Sequence, residues 1–339
     1  MQHKLSSGPL LNQQGNLNEA GYAFSMVKEY DRKAIKAGKL RIKEWDYYYV
    51  GNNDYGIALT IADNSYMSLV SVSILDFKNK WFITKSSMGF MSKGKIGLPS
   101  TSKIGDIHYQ YKRYKMDFLN DGKERRLIVH VDNYHNGQNF DCDVTLLESG
   151  EDSMVIATPF KKDKHFYYNQ KINCLKAKGS ATYNGKVYSL DDCYGVLDWG
   201  RGVWTYSNTW YWASMSGESN GVPIGFNLGY GFGDTSAASE NVFFYDGKAY
   251  KLEDVSFNIP GDGTKKINYM EPWHFTSIDG SIDMIFTPII DRCDLTDVLV
   301  IKSLQHQVFG TYKGHVIIDG KKVEFDNMLG FAEKVKNCW

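Results

Sequence analysis

The sequence lacks several features, and each absence excludes a class of protein. No apolar run approaches the roughly 18 residues that a membrane-spanning helix needs. Net charge is absent too, since 39 Lys and Arg balance 39 Asp and Glu, so nothing predicts binding to nucleic acid or to an anionic membrane. The first residues contain no apolar core of a secretory signal. The 5 cysteines are scattered without a Cys-x-x-Cys pair, which predicts reduced, mostly structural thiols in a cytoplasmic protein.

Motifs for nucleotides, metals and serine hydrolases are also missing. Gly229, Gly231 and Gly233 have the wrong spacing for a dinucleotide fingerprint, and no Gly-Lys-Ser/Thr forms a phosphate loop. The 8 histidines form no His-x-His or His-x-x-x-His pair, so a metal site would need ligands from distant strands. No Gly-x-Ser-x-Gly elbow supports a hydrolase serine. We therefore expect neither a metal nor a cofactor.

The residues that are present are typical of β-strands. Aromatics make up 14% of the chain and proline is scarce at 7, a balance that suits half-buried pleated surfaces. Segments such as Trp45–Tyr49 and Val70–Leu75 alternate with period two, and dense turn signals such as Asn136-Gly137 separate them. One short helix is predicted near the N-terminus, at roughly Phe24 to Ala37, with Gly38 placed to end it.

The order of these elements predicts the fold class and the domains. Strands that follow one another without intervening helices favour antiparallel barrels or sandwiches over a doubly wound sheet. A length of 339 residues makes two domains the natural expectation. The segment Tyr188–Asp192 marks the boundary, so we predict a first β-domain over residues 1–190 and a second over residues 191–339. No internal repeat can be aligned between them.

The most informative segment is Gly225–Asp234, which alternates with period two as a β-strand does. Phe226, Leu228, Tyr230 and Phe232 occupy even positions before Asp234, whereas the odd positions are one asparagine and four glycines. Because glycine weakens a strand, the nearly bare face indicates that a ligand, an aromatic ring or a sharp bend comes close there. Tryptophans cluster just upstream. The residues expected to bind a ligand are Trp199, Trp204, Trp210, Trp212, Asn227, Gly229 and Gly231.

Asp198 is the strongest catalytic candidate. It lies between Leu197 and Trp199, and a carboxyl group among tryptophans loses hydration, which raises its pKa and suits it to donate a proton. If Arg201 points to the same side, it would instead hold the carboxylate ionised, as a base or an electrostatic stabiliser. The alternative is an Asp198–Arg201 bridge that closes a turn and takes no part in chemistry.

Further candidates lie after the glycine-rich strand and near the C-terminus. Asp234 and Glu240 are candidates for a second carboxylate pair at the pocket mouth, although Asp234 as the N-cap of a turn is the commoner arrangement. Gln305 and Gln307 share one face of a strand and would orient a polar ligand group if they point inward, whereas an outward, solvated face is more common. For Glu333, an exposed edge is favoured over burial.

Several motifs carry a family resemblance: Gly8–Leu11, Lys43–Tyr47, Tyr194–Trp204, Gly225–Asn241, Ser303–Gly310 and Gly330–Trp339. Through them essentially the whole chain resembles the bacterial domain-of-unknown-function family 2804. More distantly it resembles the group with two lipocalin-like barrels that includes carotenoid hydratases, tocopherol cyclases and certain fungal pericyclases. That group has a Gly…Asp…Trp signature, which Gly195 and Asp198 match, while Arg201 stands near where a tryptophan is expected. The resemblance implies cofactor-free chemistry on lipophilic substrates, with a carboxylic acid protonating an alkene among aromatic walls.

The combined expectation is a mainly β protein of two lipocalin-like antiparallel β-barrel domains with a short N-terminal helix. We expect it to bind a lipophilic small molecule in a barrel or inter-barrel pocket and to hydrate, isomerise or cyclise it. Asp198 would donate the proton, and tryptophans would stabilise cationic character. Two alternatives stay open: a lipocalin-type binder without chemistry, and a carbohydrate-active enzyme with tryptophan platforms and carboxylates roughly 5–10 Å apart.

Overall fold

The computed structural model describes residues 2–264, 266–298 and 301–338. Strands dominate these residues, and two 3₁₀ turns are the only helical elements within them. Among the described residues, no helix is long and apolar enough to cross a membrane. The first strands in chain order are β1 (Gly8–Pro9), β2 (Gly21–Ala23), β3 (Lys28–Glu29), β4 (Ile42–Gly51), β5 (Tyr55–Asp63), β6 (Met67–Asp76), β7 (Trp81–Phe90), β8 (Ile107–Tyr111), β9 (Tyr114–Asn120), β10 (Arg125–His135), β11 (Gln138–Leu147), β12 (Met154–Pro159), β13 (Phe166–Tyr183), β14 (Lys186–Ser189) and β15 (Tyr194–Val203).

A second group of strands completes the chain. Strands β1 and β3 form a small parallel pair, and the other strands up to β15 form one 13-stranded sheet. The remaining strands form a second sheet of 9 strands. They are β16 (Ser207–Ser219), β17 (Val222–Tyr230), β18 (Val242–Tyr245), β19 (Lys248–Lys251), β20 (Val255–Asn258), β21 (Trp273–Ser277), β22 (Ile282–Val298), β23 (Ile301–Ile318) and β24 (Lys321–Cys338).

Both sheets follow the same up-and-down path. In the second sheet β16 to β19 are consecutive neighbours, β20 to β24 are another consecutive set, and β24 pairs with β16. The first sheet repeats this plan with β4 to β7, then β8 onward to β15, which pairs with β4. Pairing of the last strand with the first curls each sheet into a half-barrel, whose path ends at β7 and β8 in the first sheet and at β19 and β20 in the second. The predicted class of two lipocalin-like antiparallel β-domains is therefore confirmed, and the repeat exists in topology although none can be aligned in sequence.

Apolar side chains fill the interior of each barrel, and a further layer of them joins the barrels. The outer faces of β4, β13 and β15 pack against the outer faces of β16, β17, β23 and β24. We call this contact the interface. Strand β15 is buried at every position, because one of its faces lines the first barrel and the other lies in the interface. The interface side chains include Tyr47, Tyr49, Val196, Trp212, Phe309 and Phe331 in one cluster and Tyr167, Trp204, Phe232 and Phe244 in another.

The helix predicted at roughly Phe24 to Ala37 is wrong. That segment contains β3 and the 3₁₀ turn Arg32–Ala34, and a second 3₁₀ turn follows at Lys39–Arg41. Lys28 and Arg32, which would line the solvent side of a helix, are instead drawn toward buried or partly buried carboxylates. Lys28, for example, is 7% exposed and forms an ion pair with Glu19. These tertiary partners outweigh the local helix propensity.

Strand β15 follows the predicted domain boundary at 190/191 but belongs to the first sheet, between β13 and β4. The chain passes to the second sheet between Val203 and Ser207. The division into residues 1–190 and 191–339, as units that fold independently, stays a prediction.

Candidate functional site

Two rows of side chains face each other across the interface. Cross-strand pairing aligns each row at right angles to its strands, with neighbouring strands about 4.8 Å apart. The middle position of each row is a carboxylate. The rows are Lys171–Asp198–Tyr47 in the first sheet and Trp212–Glu333–Gln307 in the second.

Two contacts set how the rows align. Lys171 Nζ lies 3.8 Å from the centroid of the Trp212 ring, a cation–π contact at one end. At the other end Tyr47 Oη donates a hydrogen bond to Gln307 Oε1 at 3.5 Å. Because both ends of the rows are in contact, the middle carboxylates, Asp198 and Glu333, lie opposite each other. The Trp212 ring lies at one end of the rows and the Tyr47 ring at the other.

Asp198 occupies the middle of the first row. Lys171 Nζ lies 2.9 Å from its Oδ1, and Asn169 Nδ2 donates to the same oxygen at 2.5 Å. The side chains of Asp198 and Lys171 are 11% and 4% exposed, so this is a buried ion pair. Sequence reasoning missed Lys171 and Asn169, whose only signal is polar residues at alternate positions within a long strand.

Arg201 and Trp199 do not belong to this site. Both point into the first barrel, since odd spacing from Asp198 along a strand places them on the opposite face. Arg201 is fully buried, its Nη1 donates to Asp46 Oδ1 at 3.0 Å, and its guanidinium lies 4.1 Å from the Trp199 ring. The expected contact between Asp198 and Arg201, whether catalytic or structural, is therefore replaced by a pair with Asp46.

Glu333 occupies the middle of the second row and is 3% exposed, so the expectation of an exposed edge was wrong. It accepts hydrogen bonds from Trp210 Nε1 at 2.8 Å, Gln307 Nε2 at 3.1 Å and Gln305 Nε2 at 3.3 Å. Burial raises the pKa of Glu333 to about 7, although the Trp210 hydrogen bond and the Lys171 charge oppose the shift. The two glutamines thus bind this carboxyl group; they neither line a barrel nor lie on a solvated face.

Glu240 is a third interface carboxyl group and is brought together with Asn227 and Gly229. Asn227 Oδ1 accepts from Trp212 Nε1 at 2.6 Å, and its Nδ2 donates to Glu240 Oε2 at 3.2 Å. A Cβ atom at Gly229 would collide with the Glu240 carboxylate. The missing side chain at Gly229 therefore leaves room for the Glu240 carboxylate. Burial raises the pKa of Glu240, opposed by the positive charge of Lys171.

Glu240 borders a cleft that opens to solvent and encloses about 230 Å³. The rings of Tyr167 and Phe232, which line it, meet edge to face with centroids 4.8 Å apart. Trp204 and Trp210 pack edge-on against Phe232 from behind, at 4.8 and 5.2 Å. The cleft thus joins the Glu240 carboxyl group, whose pKa is raised, to aromatic walls.

Another cleft of about 270 Å³ lies beside Gly150 and Gly247. Its carboxylates already have partners, because Glu148 pairs with Arg125 at 2.9 Å and Asp152 accepts from the Ala249 amide at 2.9 Å. It therefore offers less chemistry than the cleft at Glu240.

Asp234 and Gly231 lie outside the carboxylate cluster. Asp234 is exposed and its Oδ1 accepts from the Ser236 amide at 3.1 Å, a hydrogen bond that lowers the pKa of Asp234. It caps the turn and forms no pair with Glu240. Gly231 follows the end of β17 with φ of +89°, so it turns the chain away from the strand. The strand therefore ends at Tyr230, four residues before the end of the alternating segment Gly225–Asp234.

The fold and site define a class: two up-and-down β-barrels packed face to face around buried carboxyl groups. The chain belongs to the family described as "Domain of unknown function (DUF2804)", whose model matches residues 2–339. No curated sequence matches it. Among solved structures it is similar to kievitone hydratase from Nectria haematococca, at 13% identity and a TM-score of 0.47, over 88% of each chain. It is also similar to CghA, at 8% identity and a TM-score of 0.46, over 98% of this chain and 97% of that one. At these values neither similarity carries an argument about activity.

Proposed function

We propose that this protein binds a mainly apolar small molecule between its two barrels and carries out cofactor-free acid–base chemistry on it, such as hydration, isomerisation or cyclisation. The observation that carries the proposal is the Glu240 carboxyl group, which borders an aromatic cleft and whose pKa is raised by burial. A carboxyl group of this kind exchanges protons closer to neutral pH than an ordinary glutamate, as a general acid or base must.

The filled barrel interiors support a site at the interface. Large buried side chains close them: Trp199 and Tyr168 in the first barrel, and Trp273, Phe226 and Tyr312 in the second. Protein interiors are packed as densely as organic crystals, so a ligand would have to displace these side chains. The cleft at the interface, by contrast, already opens to solvent.

The charges of Asp198 and Lys171 act on the Glu240 carboxyl group. The negative charge of Asp198 raises the pKa of Glu240 and the positive charge of Lys171 lowers it. Asp198 itself forms an ion pair with Lys171 and accepts a hydrogen bond from Asn169. We therefore assign proton transfer to Glu240, with Asp198 as an electrostatic stabiliser in place of its expected role as proton donor.

The cleft indicates what part of a substrate it takes. The cleft is small and open to solvent, so it accommodates only the reacting end of a ligand, and the rest of the molecule would lie outside it. Tyr167 and Phe232 line the cleft, so their rings would lie close to positive charge that develops when an alkene is protonated. An apolar, unsaturated end group fits both properties.

The tryptophans favour an apolar ligand over a sugar. A carbohydrate platform needs an open aromatic face, whereas Trp204 and Trp212 are 7% and 6% exposed.

The five cysteines are free thiols, which supports a reducing, cytoplasmic location.

The proposal is tested by native mass spectrometry of freshly purified protein, followed by organic extraction and identification of what is bound. We expect an apolar compound. The compound is then incubated in D₂O with wild-type protein and with Glu240→Gln, and deuterium at carbon is measured by mass. Wild-type protein should introduce deuterium, and Glu240→Gln should do so roughly a hundredfold more slowly.

Asp234→Asn is the matched control, since this exposed carboxylate lies in the same loop, and it should behave as wild type. Equal exchange by wild type and Glu240→Gln would refute the catalytic assignment. Binding without any exchange would leave a lipocalin-type binder. Binding of oligosaccharides alone would favour the carbohydrate alternative.

A further inference from the structure

The second barrel carries a cluster of metal-ligating side chains on the face away from the interface. Cys293 on β22 and His306 on β23 are directly opposite in the strand register, and Asp291 lies two residues before Cys293. The cross-strand partner of Asp291 is Val308, a residue of the second barrel's core. Because paired residues share a face, the cluster lies on the barrel side of the sheet and is independent of Glu333 and its row.

The three side chains converge. His306 Nε2 lies 3.8 Å from Cys293 Sγ, and His306 Nδ1 lies 2.7 Å from Asp291 Oδ2. One donor atom from each of the three residues can be chosen so that all lie within 4.8 Å of one another. The Tyr269 ring stacks on the imidazole with centroids 3.8 Å apart and an interplanar angle of 13°, which fixes its orientation.

Two atoms of the cluster, one from Asp291 and one from Cys293, are available to bind a metal ion. Asp291 Oδ1 is buried and has no hydrogen-bond partner among the described residues. Cys293 is exposed, so its sulfur is open to solvent. The nearby cation Lys334, the partner of His306 on β24, is already paired with Asp262.

We propose that Asp291, Cys293 and His306 bind a Zn²⁺ ion whose fourth position is open to solvent. A thiolate, an imidazole and a carboxylate form a donor set that suits Zn²⁺ and disfavours Mg²⁺ or Ca²⁺. With Zn–N of about 2.0 Å and Zn–S of about 2.3 Å, tetrahedral ligands stand roughly 3.5 Å apart, close to the 3.8 Å between Cys293 Sγ and His306 Nε2. Asp291 contacts the other imidazole nitrogen, Nδ1, so it joins the ion once its side chain turns toward Cys293. Histidine spacing gives no hint of the site, because its ligands come from two strands.

The test uses the full chain, freed of metal by a chelator. Zn²⁺ affinity is measured by competition with a chromogenic chelator, and Co²⁺ is added separately to detect absorption from a thiolate–metal bond. We expect one equivalent of metal and a thiolate–Co²⁺ band. Cys293→Ser should abolish the band, and His306→Gln and Asp291→Asn should each weaken Zn²⁺ binding roughly 10–100-fold.

Cys338→Ser and His315→Gln are the matched controls, taken from β24 and β23, and should bind Zn²⁺ as wild type does. If a site variant fails to fold, alkylation of Cys293 in wild-type protein replaces it, and Zn²⁺ should protect this thiol. The proposal is overturned if no thiolate–Co²⁺ band forms, if the band persists in Cys293→Ser, or if Zn²⁺ leaves alkylation unchanged. Alkylation that depends on His306 but not on Zn²⁺ would indicate a nucleophilic thiol and would also overturn it.

Discussion

Glu333 shows how one buried carboxyl group links stability to pH. Its pKa rises from about 4.5 in the unfolded chain to about 7 in the folded protein, chiefly through burial. Between these values the unfolded chain has released the proton that the folded protein keeps. The free energy of unfolding therefore falls as pH rises from about 4.5 to 7 and levels off above that, by about 3 kcal/mol for a shift of this size.

Glu333→Gln should remove this fall in the free energy of unfolding with rising pH. The amide cannot ionise, and it can still accept the hydrogen bond from Trp210. We expect the stability of the variant relative to wild type to improve by about 2–3 kcal/mol between pH 5 and pH 8. Urea unfolding of both proteins across this range measures the difference, and other titrating groups cancel in the comparison.

Glu324→Gln is the control from the same strand. Lys322 lowers the pKa of Glu324, so it is ionised in both states throughout this range. Its difference from wild type should stay constant. A Glu333→Gln difference that is equally flat would show that Glu333 does not hold its proton near pH 7.

Strand β15 packs closely on both faces, and on one of them this packing requires a residue without a side chain. It runs between β13 and β4 with both faces buried. On the interface face, Gly200 lies beneath the indole of Trp45, where a Cβ atom would collide with the ring. Trp45 is in turn held by Tyr167, stacked at 6.0 Å, and by Trp204, edge-on at 5.2 Å. The glycine thus permits the aromatic packing that joins the barrels.

Gly200→Ala should destabilise the protein by about 1–3 kcal/mol, because Trp45 cannot move without disturbing both of its aromatic neighbours. Urea unfolding midpoints measure the loss. Gly38→Ala is the control, since the nearest atom to its added Cβ would be Arg41 Cγ at 3.7 Å. That variant should unfold at the wild-type midpoint or slightly above it. Equal midpoints for the two variants would contradict this account of β15.

Each of the two barrels buries an aromatic face of the other. Tyr47 and Tyr49 from the first sheet pack against Trp212, Phe309 and Phe331 from the second. A barrel expressed alone would expose these rings to water, a patch of the kind that drives association. Strand β15 adds a constraint, since without it β13 and β4 lose their shared neighbour.

A fragment of residues 1–205 should therefore unfold cooperatively, whereas residues 1–190, which lack β15, should not. Far-UV circular dichroism during thermal unfolding distinguishes them. Co-expression of residues 1–205 with residues 206–339 should yield a complex, because the interface remains intact. Cooperative unfolding of residues 1–190 with the stability of the longer fragment would instead support a boundary at 190/191.

Local patterns determined the elements that the sequence predicts correctly. Alternation and turn residues lie within a few positions of one another, so the strands around Trp45, Val70 and Gly225 and the two antiparallel β-domains follow from the sequence alone. Asn227, Gly229 and Glu240 were each named as site residues because they lie on or just after one strand, and their role at a site stays a prediction.

Only the tertiary structure decided which groups meet across strands and sheets. Asp198 pairs with Lys171, 27 positions away in sequence, and Arg201 points to the other face. Glu333 is buried because a second barrel covers it, and the segment around Lys28 is extended because Glu19 binds it. Each outcome depends on strand register and packing between distant segments. Local propensity carries no information about such contacts, since they arise only when the chain has folded.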